Sequence, residues 1–309
     1  LFSLLCNGQS PKLFTTDKEL SSSLINQIYQ DRNGFIWIAT EDGLNRYDGA
    51  KFTIYKHEPN NEHSLAHNFV RTVFEDSKGH LLIGTYIGIQ MYDPATDNFT
   101  PLAKLEDTGE TLESNINSFI ERKNGEIWVS GNVLCKLDIK DHLLTVRKVD
   151  IAVTSPGSLF EDKKQNVWMA KGEEGVYQLT PDNQLTLHLS KDNGYVKSIC
   201  EDQRGNIYVG SIRKGLFIYD KERKTFVPVD LKEKGELPVC FLYSGIPNEL
   251  YIGTDGKGVA IYNIRTHEIS EYKFDNNYFD SGNSKIHSIL KDNSGNLWLA
   301  VYQKGVILI

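Results

Sequence analysis

One eight-residue phrase recurs along this chain, and its spacing restricts the fold more than any other feature. Its first copy reads Asp31-Arg32-Asn33-Gly34-Phe35-Ile36-Trp37-Ile38. All four tryptophans, Trp37, Trp128, Trp168 and Trp298, occupy the same slot of the phrase, and Leu82, Tyr208 and Tyr251 fill it in three further copies. Successive anchors lie 45, 46, 40, 40, 43 and 47 residues apart. A period of this size on strand-like sequence marks a radial or stacked array. A length of 309 residues would otherwise suggest two domains, but a closed ring of repeats adds each unit to one continuous core.

Laid on the anchor, each copy reads as four strands. The first is Leu24-Ile25-Asn26-Gln27-Ile28-Tyr29, followed by the turn Asp31-Arg32-Asn33-Gly34. Asp bonds the turn's own backbone and Gly takes the left-handed position that closes it. The second strand, Phe35 to Thr40, is apolar on both faces, as a sheet covered on both sides requires. The third begins at a glycine, as in Gly43 to Asp48, and the fourth is looser, as in Phe52 to Tyr55. No segment sustains a helical period. The expected fold is all-β: a seven-bladed β-propeller with four antiparallel strands per blade. The seventh copy stops at Ile309 without a fourth strand, whereas Leu13-Phe14-Thr15-Thr16 precedes the first copy as a spare one. An N-terminal strand completing the last blade would close the ring and leave no long edge exposed.

The anchor tryptophans are expected to pack between blades. A net charge of −7 and the lack of a basic stripe argue against a nucleic-acid partner and against docking to anionic lipid. Cys6, Cys135, Cys200 and Cys240 show no CxxC pair and no zinc-ligand spacing. Contact between Cys200 and Cys240 on adjacent first strands is conceivable, but buried free thiols are favoured. Residues 1–10 are apolar from Leu1 to Cys6, then small and polar to Ser10. They resemble the tail of a secretory signal peptide lacking its charged start. A short apolar strand is the alternative; the signal remnant is favoured, with the propeller occupying 11–309 outside the cytoplasm. No run elsewhere is long and apolar enough for a membrane-spanning helix.

Leu24 to Asp31, Gly34 to Thr40 and Asp42-Gly43-Leu44-Asn45-Arg46-Tyr47-Asp48 together resemble the two-component-regulator propeller repeat, which builds the periplasmic sensor of Bacteroidetes hybrid two-component systems. The resemblance covers nearly the whole chain and is strongest in copies one, two, five and seven. Arg122 replaces the turn Asp in copy three, Gln165 stands where Gly is usual in copy four, and copy six has a longer turn at Gly245-Ile246-Pro247-Asn248. The resemblance implies a non-catalytic periplasmic sensor that detects glycan-derived oligosaccharides and controls polysaccharide-utilisation genes. It also implies a second propeller and a β-sandwich in the same chain, a homodimeric full-length protein, and a membrane span, kinase and DNA-binding output. None of the last three is in this sequence.

Two residue sets should converge at one face of the disc. The loops between second and third strands supply Glu41, Tyr86, Asn132, Lys171, Arg213, Asp255, Lys257 and Tyr302. The start of the innermost strand supplies Asn26, Arg71, Asn117, Lys197 and His287, with Gly157 and Val239 in the remaining blades. Such a ring suits a polyhydroxylated or anionic ligand: Tyr86 and Tyr302 could stack on sugars, while Arg and Lys could pair carboxylate or sulfate. Loop polarity and a solvated channel would produce similar residues without a ligand. Three long connections, His57–His67, Leu105–Asn115 and Asp275–Ser284, cluster on one side of the ring and predict a raised wall there.

A sialidase- or lyase-like glycan-active enzyme is the competing class. The repeat departs from the sialidase Asp-box in its Asp-to-Gly gap, and no arginine triad with a Tyr–Glu pair is present. Glycosidase chemistry needs two carboxylates at a set separation, and Glu41 and Asp255 are the only acidic members of the set. The repeated Asp residues are read as turn residues rather than calcium ligands, since the EF-hand span is missing. His57, His63, His67 and His287 lack paired spacing, so no metal and no cofactor are expected. A protein-interaction scaffold fits the fold equally well, because propellers host many chemistries.

Overall fold

A computed structural model of the chain describes residues 11–189, 194–231, 237–274, 278 and 280–309. The expected leader remnant, Cys6, and residues 275–277 and 279 of the third long connection lie outside them. Among the described residues the strands form seven sheets. Blade 1 comprises Ile25–Gln30, Ile36–Thr40, Gly43–Tyr47 and Phe52–Tyr55, joined antiparallel in sequence order from the channel outward. The same order recurs in the blades whose innermost strands are Val70–Glu75, Ser118–Glu121, Leu159–Glu161, Val196–Glu201, Val239–Ile246 and Ile286–Lys291. The second strand of each is buried along nearly its whole length, as its two-sided apolar pattern requires.

The ring closes as the sequence implies. Lys12–Phe14 pairs antiparallel with Gly305–Leu308, with Leu13 opposite Ile307. Phe14 is wholly buried and stacks on Trp298 with ring centroids 5.7 Å apart, while meeting Phe52 of blade 1 edge-on at 5.0 Å. The closing strand therefore completes blade 7 and is held by blade 1 as well. Blade 3 departs from the four-strand plan: Lys104–Leu105, from the blade 2–3 connection, adds a fifth strand parallel to Leu143–Lys148.

The repeat's anchors fill the gaps between blades. Trp37 packs with Leu81 and Ile83 of blade 2, Leu82 with Ile127 and Val129 of blade 3, and Trp128 with Val167 and Met169 of blade 4. The series continues with Trp168 against Ile207 and Val209, Tyr208 against Leu250 and Ile252, Tyr251 against Leu297 and Leu299, and Trp298 against Ile36 and Ile38. Each interface thus has one anchor from the preceding blade, and these large side chains report architecture.

The turn aspartates explain why the anchors hold one orientation. Oδ1 of Asp162 accepts the backbone N–H groups of Lys164 and Asn166, both at 2.9 Å. Its Oδ2 accepts Asn166 Nδ2 at 2.8 Å and Trp168 Nε1 at 2.9 Å. Asp31 and Asp292 likewise bind Trp37 and Trp298, Asp202 binds the Tyr208 hydroxyl, and Asp76 binds His80 Nδ1 because Leu82 offers no donor. In blade 3, where Arg122 takes the place of Asp, Glu126 accepts Trp128 Nε1 at 3.0 Å and Arg122 lies 4.6 Å over the indole.

In several blades the residue just before the turn ties one blade to its neighbour. Glu75 accepts the Arg32 backbone N–H at 2.7 Å, Glu121 that of Ser77 at 2.7 Å, and Glu161 that of Lys123 at 2.7 Å. Gln30 does the same for Asn293 across the closure, at 2.8 Å.

Removing the Asp162 carboxylate should strand turn N–H groups and an indole donor together. Asp162→Ala is expected to cost about 3 kcal/mol in urea unfolding, and Trp168→Phe about 1–2 kcal/mol. A loss below about 0.5 kcal/mol for Asp162→Ala, the range of ordinary surface changes, would refute this role. Phe14→Ala should cost about 3–5 kcal/mol; an unchanged urea midpoint would mean that the N-terminal strand does not close the ring in solution.

Candidate functional site

Antiparallel order puts the strand 2–3 loops and the connections to the next blade on one face, and the aspartate turns on the other. The first face opens into an axial cavity of about 550 Å³, within the range of small-molecule sites. Asn26, Arg71, Asn117, Lys197 and His287, expected at the channel, all line it, as does Gly157.

A backbone irregularity delivers most of these side chains. In blade 2 the ladder pairs Val70 with Thr85 and then Thr72 with Gly84, leaving Arg71 unpaired. Equivalent shifts release Asn26, Lys197 and His287. Such a bulge re-aims the extra residue's side chain. In blade 6 the released residue is Cys240, not Val239 as the sequence reading had it: Val239 pairs with Thr254 and is fully buried against blade 5. The longer turn of that copy is absorbed by a second register shift between Tyr243 and Ile246. The eleven-residue offset from slot to anchor, as in Arg71 to Leu82, therefore holds for Cys240 and Tyr251 and could have identified it.

The strand 2–3 loop set does not act as one ring. Lys171 alone of its members lines the axial cavity, with Nζ 2.8 Å from Glu174. Asn132 lines a separate cavity of about 730 Å³ beside blade 3, shared with Lys104, Glu113 and Lys148. Arg213 pairs with Glu173 at 3.2 Å on the exposed surface. Glu41 is exposed at the loop tip, its backbone N–H bonded to Leu24 O at 3.1 Å. Lys257 caps its own turn through a backbone bond to Thr254 Oγ1 at 2.8 Å. Tyr86 is exposed beside His67 and Phe69. Asp255 is 2.7 Å from Lys285, joining the mouths of blades 6 and 7.

Tyr302 approaches the channel indirectly, its ring centroid 5.0 Å from that of His287. Tyr195, which is not among the residues expected from sequence, is exposed and lines the axial cavity with Ser155. Burial pushes the His287 imidazole down to about 4, with Lys197 adding in the same direction, so the ring is neutral at pH 7. Burial also raises the Cys240 thiol, which stays protonated. Cys135, Cys200 and Cys240 are free thiols.

The raised wall is partly a packing device. Leu65, near the end of the 57–67 connection, is wholly buried in the blade 1–2 core. His57 Nδ1 and His63 Nδ1 lie 2.9 Å and 3.1 Å from the Leu65 and Phe99 carbonyl oxygens. The 105–115 connection lines the cavity beside blade 3. Among the described residues no three His, Cys, Asp or Glu side chains stand together as metal ligands.

A profile described as a two-component regulator propeller matches residues 19–42, 64–86 and 190–213. These three segments carry two-component regulator propeller repeats. Those segments hold the innermost strand and anchor phrase of blade 1, the same elements of blade 2 and those of blade 5.

"Histidine kinase P4" of Formosa agariphila is 42% identical over 55 residues, 18% of this chain and 4% of that protein. The extracellular domain of the putative hybrid two-component system BT3049 from B. thetaiotaomicron superposes with a TM-score of 0.82 at 21% identity, covering 97% of this chain and 41% of that one. Virginiamycin B lyase from Staphylococcus aureus gives a TM-score of 0.72 at 14% identity, with 97% and 99% covered. At those identities the two structural likenesses establish the propeller fold. The chain thus spans a small part of the kinase and under half of the extracellular domain. No helix among the described residues is long and apolar enough to cross a membrane.

The depressed His287 value has a measurable sign. Between about 4 and 6.5 the unfolded chain binds a proton that the folded one refuses, so His287 makes stability fall as pH drops through that window. The imidazole Cε1–H resonance should titrate with a midpoint near 4, and a midpoint near the ordinary imidazole value of about 6.5 would show that burial does not govern it.

Proposed function

We propose that this propeller is a non-catalytic sensor module of a hybrid two-component regulator, lying in the periplasm and responding to oligosaccharides released from a glycan. In this reading the oligosaccharide enters the axial cavity from the face bearing the strand 2–3 loops. Asn26, Asn117 and His287 bond its hydroxyl groups, while Tyr302 and Tyr195 border the mouth. The carrying observation is that cavity, which all five polar residues predicted for the innermost strands line. The kinase relative and the extracellular two-component domain support the signalling context. Control of polysaccharide-utilisation genes, a second propeller and β-sandwich in the same chain, and a homodimeric full-length protein belong to the proposal.

A lyase reading has the virginiamycin B lyase fold in its favour, together with a neutral His287 beside Tyr302. A two-carboxylate hydrolase finds no support in the axial cavity, since no carboxylate lines it among the described residues.

The two classes separate in one experiment. Calorimetric titration with a panel of host and plant oligosaccharides should give saturable binding, with each ligand recovered intact by chromatography. Cleavage of any panel member, by hydrolysis or with unsaturated ends, would replace the sensor reading with an enzymatic one.

A further inference from the structure

The axial cavity carries a charge asymmetry opposite to that of the chain. Asp and Glu outnumber Lys and Arg by 41 to 34, yet the cavity is lined by Arg71, Lys171 and Lys197 and, among the described residues, by no carboxylate. These cations differ in how far they are already engaged. Lys171 is held by Glu174 at 2.8 Å and by the Thr154 hydroxyl at 3.2 Å. Arg71 uses only Nε, bonded to Asn115 Oδ1 at 2.9 Å, and its guanidinium carbon lies 5.3 Å over the Phe69 ring. Its two terminal nitrogens and the Lys197 ammonium make no hydrogen bond or ion pair among the described residues. The nearby carboxylate of Asp255 is taken by Lys285 at 2.7 Å.

Resting on the reading that this mouth takes an oligosaccharide, we infer that the ligand is anionic, carrying carboxylate or sulfate groups read by Arg71 and Lys197. These two residues come from blades 2 and 5, three steps apart in the ring, so they address the ligand from different walls. A concave site lined by one sign of charge concentrates its potential and raises the local concentration of counter-charged ligand. Arg71 offers its free fork to two oxygens of one group, and Lys197 acts as a point charge. A neutral sugar in the same place would displace water from both cations and return no charge to either. The site therefore disfavours neutral ligands as well as favouring charged ones. Lys197 also acts with burial to keep His287 uncharged, which leaves that ring free to bond hydroxyl groups without adding to the positive charge.

The test uses three probes on the intact chain: trigalacturonate, a sulfated tetrasaccharide of the carrageenan type, and neutral galactotetraose. At least one charged probe is expected to bind about tenfold or more tighter than galactotetraose, and its affinity should fall as NaCl is raised from about 50 to about 300 mM. Which charged probe binds tells carboxylate from sulfate. Arg71→Met and Lys197→Met should each weaken that probe about tenfold, with Arg71→Lys losing less and thermal midpoints unchanged. Galactotetraose binding as tightly as both charged probes, or a double methionine variant that binds them undiminished, would overturn the anion assignment and leave an oligosaccharide site standing. Failure of all three probes to bind would overturn the assignment and the oligosaccharide reading together.

Discussion

A buried carboxylate that must find donors governs this propeller. Asp31, Asp76, Asp162 and Asp202 are almost completely shielded from water, where an unsatisfied carboxylate would be very costly. Each spends one oxygen on the backbone of its own turn and the other on a side chain of the second strand or, for Asp76, on His80 just before it. In the blades with Trp or Tyr at the anchor, that side chain is the one driven into the next blade. Turn geometry, strand pairing and blade-to-blade packing are thus coupled through one group. The exceptions define the rule in physical terms. Blade 2 offers Leu82 and recruits His80 as donor, while blade 3 lacks the Asp and moves the acceptor to Glu126. That carboxyl is drawn down to about 2 by Lys136, against a desolvation penalty, with Trp128 and Asn124 adding hydrogen bonds. The indole needs an acceptor; Asp at the turn is the usual way of supplying it.

This coupling divides the disc into two unlike faces. The aspartate turns are fixed in length and in partners, and the acidic residues beside them stitch neighbouring blades. Where that face varies, in the Arg122 turn of blade 3 and the longer turn of blade 6, a local compensation accompanies the change. The opposite face carries the strand 2–3 loops and the blade connections, which are braced loop by loop, as by the Thr40, Thr85 and Thr254 hydroxyls on the Gly43, Gly88 and Gly258 carbonyls. The Lys285–Asp255 pair and the axial cavity lie on that side, and the blade connections also supply the fifth strand at the outer edge of blade 3 and the Leu65 plug.

The readable part of the fold was the part that repeats. Trp37 and its counterparts announce the period, Gly34 and Asp31 the turn, and the mismatch between Leu13-Phe14 and the truncated seventh copy the closure. The site was legible only where it shared that period: Asn26, Arg71, Asn117, Lys197 and His287 lie at one offset and reach one cavity. Of the loop set only Lys171 reaches it, because a loop tip's position depends on local partners that periodicity does not encode. Glu173 draws Arg213 to the surface, and the folded-back 105–115 segment gives Asn132 a cavity of its own. Cys240 was missed for a related reason: the long sixth turn invites a one-residue shift, whereas the backbone absorbs it with a bulge.

That bulge also accounts for the variety of groups in the channel. A residue within a regular ladder points into one of two packed faces, where its size and polarity are dictated by a neighbouring blade. Arg71, Lys197 and His287 are released from the ladder, while Val70 and Thr72 on either side continue the pairing and stay buried. The slot can therefore hold Asn, Arg, Lys, Cys or His without disturbing the anchors. A ring of such slots is a surface whose chemistry is set blade by blade on an unchanged scaffold. In this chain it collects positive charge inside a protein that is negative overall, and packing alone demands no such segregation.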